Sequence, residues 1–79
     1  MDGRQIQAAR ALLGWSQVMT AEAAGVSVPT VKRAEGAGQT KASDAAIAAI
    51  RHALEAAGVE FIPENGGGAG VRLRKSNGS

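Results

Sequence analysis

Lys32 and Arg33 are the side chains of this 79-residue chain whose type and setting point most directly to chemistry on a partner. They follow Gly25-Val26-Ser27 and share a predicted helix with Pro29, while Val28 lies at the edge of the same face. That face mixes basic and small apolar groups. Lys or Arg can donate to guanine O6 and N7, and small apolar groups can touch thymine methyls. Two basic residues alone would read as a solvated helix surface. Set on a short helix that a tight turn at Gly25 joins to another able to brace it, the face suits the major groove of duplex DNA.

Other chemistries find little support. There is no cysteine, so disulfides, thiolate metal sites and thiol catalysis are excluded. His52 is the one histidine and is expected on a solvated helix face, so no metal is expected. Ser16, Ser27 and Ser43 each have a helix-capping role available, no histidine lies near them in sequence, and the carboxylates are scattered. The expectation is a non-enzyme without a cofactor. Gly66 to Gly70 lacks the Lys-Ser/Thr ending of a phosphate-binding loop and reads as a hairpin loop. Arg72, Arg74 and Lys75 read as a charged strand edge that resists aggregation; extra phosphate contact is the sharper alternative.

Composition bounds the scaffold that must position these groups. Apolar residues make up 44%, but alanine supplies much of that, with one Trp, one Phe and no Tyr. This suits closely packed short helices better than a roomy ligand cavity, and no aromatic platform for stacking RNA bases exists. The net charge of +2 permits nucleic acid without requiring it. No apolar run fits a signal peptide or a membrane span. A cytoplasmic protein without membrane contact is expected.

Four helices follow from caps, stops and periodicity. Asp2 and Gln5 form a capping-box pattern, after which Ile6, Ala9, Leu12 and Leu13 make an apolar face that Gly14 ends. Trp15 is expected over the corner. Ser16 caps a helix over 17–24 that stops at Gly25. Ser27 caps a third helix running to about Glu35, with Pro29 in its first turn and Gly36 as its stop; Val31 and Ala34 point inward. Residues 37–42 form a polar link. Ser43 caps a fourth helix to about Ala57, buried through Ile47, Ile50 and Leu54 with Ala46, Ala53 and Ala57 beside them, and Gly58 closes it. The period then changes to two. Val59-Glu60-Phe61-Ile62 and Val71-Arg72-Leu73-Arg74-Lys75 read as a hairpin around a Gly-rich loop. A lone hairpin is marginal in water. Val59, Phe61, Val71 and Leu73 must therefore pack on the helices or pair with a second chain.

The segment from about Arg4 to Ala57 resembles the phage-repressor-like helix-turn-helix family of the Cro and xenobiotic-response-element type. The matching residues are Arg10, Leu13-Gly14, Ser16-Gln17, Ala21, Gly25-Val26-Ser27, Thr30-Val31 and Glu35-Gly36. The resemblance implies a mainly α, four-helix lambda-repressor-like fold, here with a C-terminal two-stranded β-hairpin. It implies that Gln17 sits at a helix N-terminus and contacts phosphate. It places Ser27, Val28, Pro29, Thr30, Lys32 and Arg33 at the groove or its rims, and pairs Arg10 with Glu35 as a structural ion pair. Ser16 and Lys41 complete the candidate DNA-binding set. Two departures stand out. Thr20 occupies a core position where the family usually has Leu, so its hydroxyl needs a partner, such as the carbonyl four residues back, and the core is expected to be weaker. The tail from Gly58 to Lys75 replaces a fifth helix and resembles tails of small bacterial regulators.

The expected organisation is a DNA-binding helix-turn-helix domain over 1–58, a hairpin of the same domain over 59–75 and a disordered tail over 76–79. The expected function is sequence-specific binding of double-stranded DNA by a prokaryotic transcriptional repressor acting as a homodimer. The alternative is an antitoxin-like module whose hairpin, 59–75, binds a protein partner, with DNA binding used for autoregulation.

Overall fold

A computed structural model describes residues 3–36, 41–63 and 70–74. Four helices, α1 (Gly3–Leu13), α2 (Gln17–Ala24), α3 (Val28–Ala34) and α4 (Asp44–Ala56), precede strands β1 (Val59–Ile62) and β2 (Gly70–Leu73). The chain has the mainly helical architecture with a C-terminal two-stranded hairpin that its residues imply.

Three serines start three helices by the same device. Ser16, Ser27 and Ser43 are extended, and each side-chain oxygen accepts from the N–H three residues on: Met19 at 3.1 Å, Thr30 at 3.2 Å and Ala46 at 3.1 Å. Each such cap contributes about 1 kcal/mol relative to alanine. The stops are Gly14, Gly25, Gly36 and Gly58, all at positive φ. Asp2, half of the predicted capping box, lies outside the described residues, as do the link at 37–40, the loop at 64–69 and residues 75–79.

Ile6, Ala9, Ala21, Val31, Ala34, Ile50, Leu54 and Val59 form the buried core, with Leu13, Trp15, Val26, Val28, Ile47, Phe61 and Val71 packed around it. α2 packs on α3 and α4, α4 carries β1, and α1 lies against the hairpin. The small side chains Ala9, Ala21 and Ala34 permit this close approach of short helices.

The boundaries and faces differ from expectation in a few places. α3 ends at Ala34, because Glu35 is its C-cap, and α4 ends at Ala56 with Ala57 as an exposed cap. Leu12 is 42% exposed, since Ile6, Ala9 and Leu13 fill the core face of α1 and leave Leu12 on its rim. Thr20 is fully buried; its hydroxyl donates to the Ser16 carbonyl at 2.9 Å, the carbonyl four residues back.

The hairpin is antiparallel, with Val59 opposite Leu73, Glu60 opposite Arg72, Phe61 opposite Val71 and Ile62 opposite Gly70. Directly opposite residues share a face. Val59 is buried and Phe61 and Val71 pack against the core, but Leu73 is 48% exposed. β1 is the strand seated on α4 while β2 lies along α1, which leaves the far end of β2 incompletely covered. Arg51 sits 5.7 Å from the centroid of the Phe61 ring, a cation–π contact that adds to the docking of β1 on α4.

Candidate nucleic-acid interface

The site is built on the α2–turn–α3 unit. Gly25 adopts φ 71°, a left-handed conformation that a side chain would disfavour. It lets the Gly25 and Val26 N–H groups turn back onto the Glu22 and Ala21 carbonyls at 3.3 and 3.0 Å. The chain then reaches Ser27, whose oxygen caps α3 and also hydrogen-bonds the Thr30 hydroxyl at 2.8 Å. Pro29 falls in the first turn of α3, where a missing N–H breaks no helical bond.

Burial sorts the face of α3. Val31 and Ala34 are buried against the core. Pro29, Lys32 and Arg33 are exposed, as is Ser27, and Thr30 is half-buried. Val28 is half-buried and packs against the core, so only part of it remains on the surface. Ser16 is exposed at the start of α2, and Lys41 is exposed ahead of α4. Pro29, Lys32 and Arg33 therefore form one solvent-facing strip of α3, held from behind by two small apolar anchors.

Glu35 fixes the position of that strip. Its side chain is only 3% exposed, and it receives Arg10 Nε at 2.5 Å and Arg10 Nη2 at 3.1 Å. A third Arg10 nitrogen donates to the Trp15 carbonyl at 3.1 Å. Gln17 donates its amide to Glu35 Oε1 at 3.0 Å. One carboxylate thus ties α1, the first residue of α2 and the end of α3 together. The Gln17 side chain, which the resemblance would send to phosphate, already spends one N–H on Glu35.

The cations divide into two groups. Arg10 is paired with Glu35, Arg51 with Glu55 and Arg72 with Glu60 across the hairpin. Arg74 donates to the Glu55 carbonyl near the end of α4, and its own N–H bonds Gly58 at 2.7 Å. Arg72 and Arg74 therefore neutralise groups of the hairpin and α4, which takes support from the phosphate reading; Lys75 lies outside the described residues. Arg4, Lys32, Arg33 and Lys41 have no ion-pair or hydrogen-bond partner for their side chains among the described residues. His52 is exposed, and the described residues hold no cluster of His, Cys, Asp or Glu able to bind a metal. Among the described residues, no helix is long and apolar enough to cross a membrane.

Two positions make contacts that the sequence does not signal. Gly3 brings the first turn of α1 onto the backbone of Glu35: a Cβ there would lie 2.5 Å from the Glu35 carbonyl carbon and oxygen. Gln5 is buried, and its amide nitrogen donates to the Gly70 carbonyl at 3.1 Å and lies 3.4 Å from that of Ile62. Gly3 reads as an ordinary helix start and Gln5 as half of a capping box, so only the contacts reveal these further roles.

A comparison with curated proteins finds no match. A helix-turn-helix family model matches residues 6–58, which include α2, the turn, α3 and α4. That match covers more than half of the chain, and the chain belongs to the Cro/C1-type helix-turn-helix family of DNA-binding regulatory domains.

Proposed function

We propose that the chain is a sequence-specific duplex-DNA-binding repressor that acts as a homodimer in a prokaryotic cytoplasm. The observation that carries this reading is the exposed strip of Pro29, Lys32 and Arg33, in which neither cation has an ion-pair partner among the described residues. A helix fits the major groove, which is about 12 Å wide. With α3 there, Lys32 and Arg33 face base edges and phosphates, Pro29 and the exposed part of Val28 offer apolar contact, and Ser27 and Thr30 offer hydroxyls. Ser16 and Gln17 at the start of α2, with Lys41 on the other flank, supply backbone contacts that set the register of the helix. Residues 1–58 are the DNA-binding unit in this reading, and 59–75 belong to the same domain.

One helix reads few base pairs, and specific affinities of about 10⁻⁸ to 10⁻¹¹ M usually need more surface. A dimer placing two recognition helices about 34 Å apart meets two half-sites one turn apart. The half-exposed Leu73 on a sheet that has two strands among the described residues supports a second copy as the partner of the hairpin. Occlusion of a promoter by such a dimer is the simplest regulatory act. The same surface is what a protein partner would use in the antitoxin-like alternative.

Selection from a randomised duplex library at about 100–150 mM salt, where nonspecific backbone binding is weakened, tests the reading. An enriched inverted repeat with half-sites about 10 base pairs apart is the expected result. Binding without enrichment would make the chain a backbone binder and move attention to a protein partner for the hairpin. A light-scattering mass of one chain at high concentration would remove the preformed dimer.

A further inference from the structure

We propose that Arg4 is a DNA-backbone contact flanking α3, brought there by the close approach of Gly3 to Glu35. The inference rests on the DNA-binding reading and extends its contact surface to a helix outside the α2–turn–α3 unit.

The first turn of α1 sits directly on the residue that closes α3. A Cβ at Gly3 would stand 2.5 Å from the carbonyl carbon and oxygen of Glu35 and 2.8 Å from its Cα. No side chain fits there, so the absence of one sets the distance between the two helices. Arg4 is the next residue. It is exposed, and its side chain has no partner among the described residues. Arg10 on the same helix is engaged by Glu35 and the Trp15 carbonyl. Of the two arginines of α1, one holds the fold and the other, next to the glycine that meets Glu35, has no partner among the described residues.

The position favours phosphate as the ligand. The N-terminal residues of a recognition helix are the ones that reach base edges. A cation near the residue that closes α3 lies away from that end, where the anions a duplex offers are the phosphates that line the groove. An arginine there can make a charge-assisted, bidentate contact with a phosphate. Phosphate contacts position a protein and carry no base information. Arg4, Lys32, Arg33 and Lys41, which have no partner among the described residues, then form one set distributed over α1, α3 and the approach to α4.

The test measures duplex affinity against salt for the full chain, for Arg4→Ala and Arg4→Lys, and for Arg33→Ala as a comparator. It uses both a selected site and an unrelated duplex, and urea midpoints check that the variants are folded. The expected result is that Arg4→Ala weakens binding by a similar factor on both duplexes and reduces the salt slope by about 1, the release associated with one phosphate. Arg4→Lys, which keeps the charge, restores most of that slope. An unchanged slope for Arg4→Ala, a loss confined to the selected site, or no restoration by lysine would each overturn the assignment. Failure of the unaltered chain to bind any duplex overturns the DNA-binding reading and this one with it. Normal binding by the unaltered chain with an unaffected Arg4→Ala variant overturns the role of Arg4 alone.

Discussion

Gln5 donates to the carbonyl of Gly70 at 3.1 Å, joining the first turn of α1 to the first residue of β2 across 65 positions of sequence. The same nitrogen lies 3.4 Å from the carbonyl of Ile62, the residue paired with Gly70. One buried side chain therefore holds the loop end of the hairpin against the body of the protein. Replacement by alanine removes a donor from part-buried carbonyls, for which the cost is about 1–3 kcal/mol. We expect Gln5→Ala to lower stability in urea by that amount and to speed hydrogen exchange in β1 and β2 more than in α4. Equal protection in the strands of both proteins would show that the hairpin is held by its apolar face alone.

Arg10 and Glu35 form the tightest polar junction between helices. Glu35 is almost completely buried, while Arg10 retains 20% exposure. Removing one partner of a buried pair leaves an uncompensated charge and costs about 3–5 kcal/mol. The partial exposure of Arg10 puts the expectation for Arg10→Ala at the low end, about 3 kcal/mol. Denaturant unfolding measures this directly. A loss below about 1 kcal/mol, the range of exposed pairs, would mean that water reaches Glu35 readily.

Thr20 offers a prediction of the opposite sign. Its hydroxyl and its N–H both donate to the Ser16 carbonyl, at 2.9 and 3.0 Å. Thr20→Val keeps the backbone bond, and it replaces a fully buried hydroxyl by a methyl worth about 0.8 kcal/mol of burial. We expect a gain of about 0.5 kcal/mol, because the surrendered side-chain bond is an i−4 back-bond of the kind that slightly destabilises helices. A clear loss in the urea midpoint would show that the hydroxyl bond outweighs the methyl.

Arg33 is exposed on the candidate groove face. Arg33→Ala is expected to cost about 1–3 kcal/mol on the preferred duplex and much less on unrelated sequences. Competition binding on both duplexes separates the cases. Equal loss on all sequences would reassign Arg33 to the phosphates.

Much of the fold is local physics and was legible residue by residue. Ser16, Ser27 and Ser43 announce α2, α3 and α4 because a serine oxygen satisfies an orphan N–H three residues on. Gly14, Gly25, Gly36 and Gly58 end helices because the stops need a left-handed backbone. The two-residue period of Val59 to Ile62 and of Val71 to Leu73 specifies strands, and the buried Val31 and Ala34 specify which side of α3 is left for a ligand. The matching residues from Arg10 to Gly36, in register across both helices and the turn, were enough to mark the family resemblance and the candidate face.

What tertiary structure alone decided are contacts between residues distant in sequence, where no spacing rule applies. Gln5 reads as half of a capping box, and only the fold shows that its amide also reaches the hairpin. Gly3 reads as an indifferent helix start until the backbone of Glu35 is found against it. Leu12 and Leu73 match the apolar periods of their elements yet stay partly exposed, because periodicity defines a face but not how much of it a neighbour covers. Arg72 and Arg74 read as a free basic edge, and only the strand register and the end of α4 supply their partners. The sequence determined the elements and the sign of their faces, since these follow from backbone sterics and side-chain polarity within a few residues. The assembled fold decided which charges are consumed in holding it together and which, like Arg4, Lys32 and Arg33, remain without an ion-pair partner among the described residues.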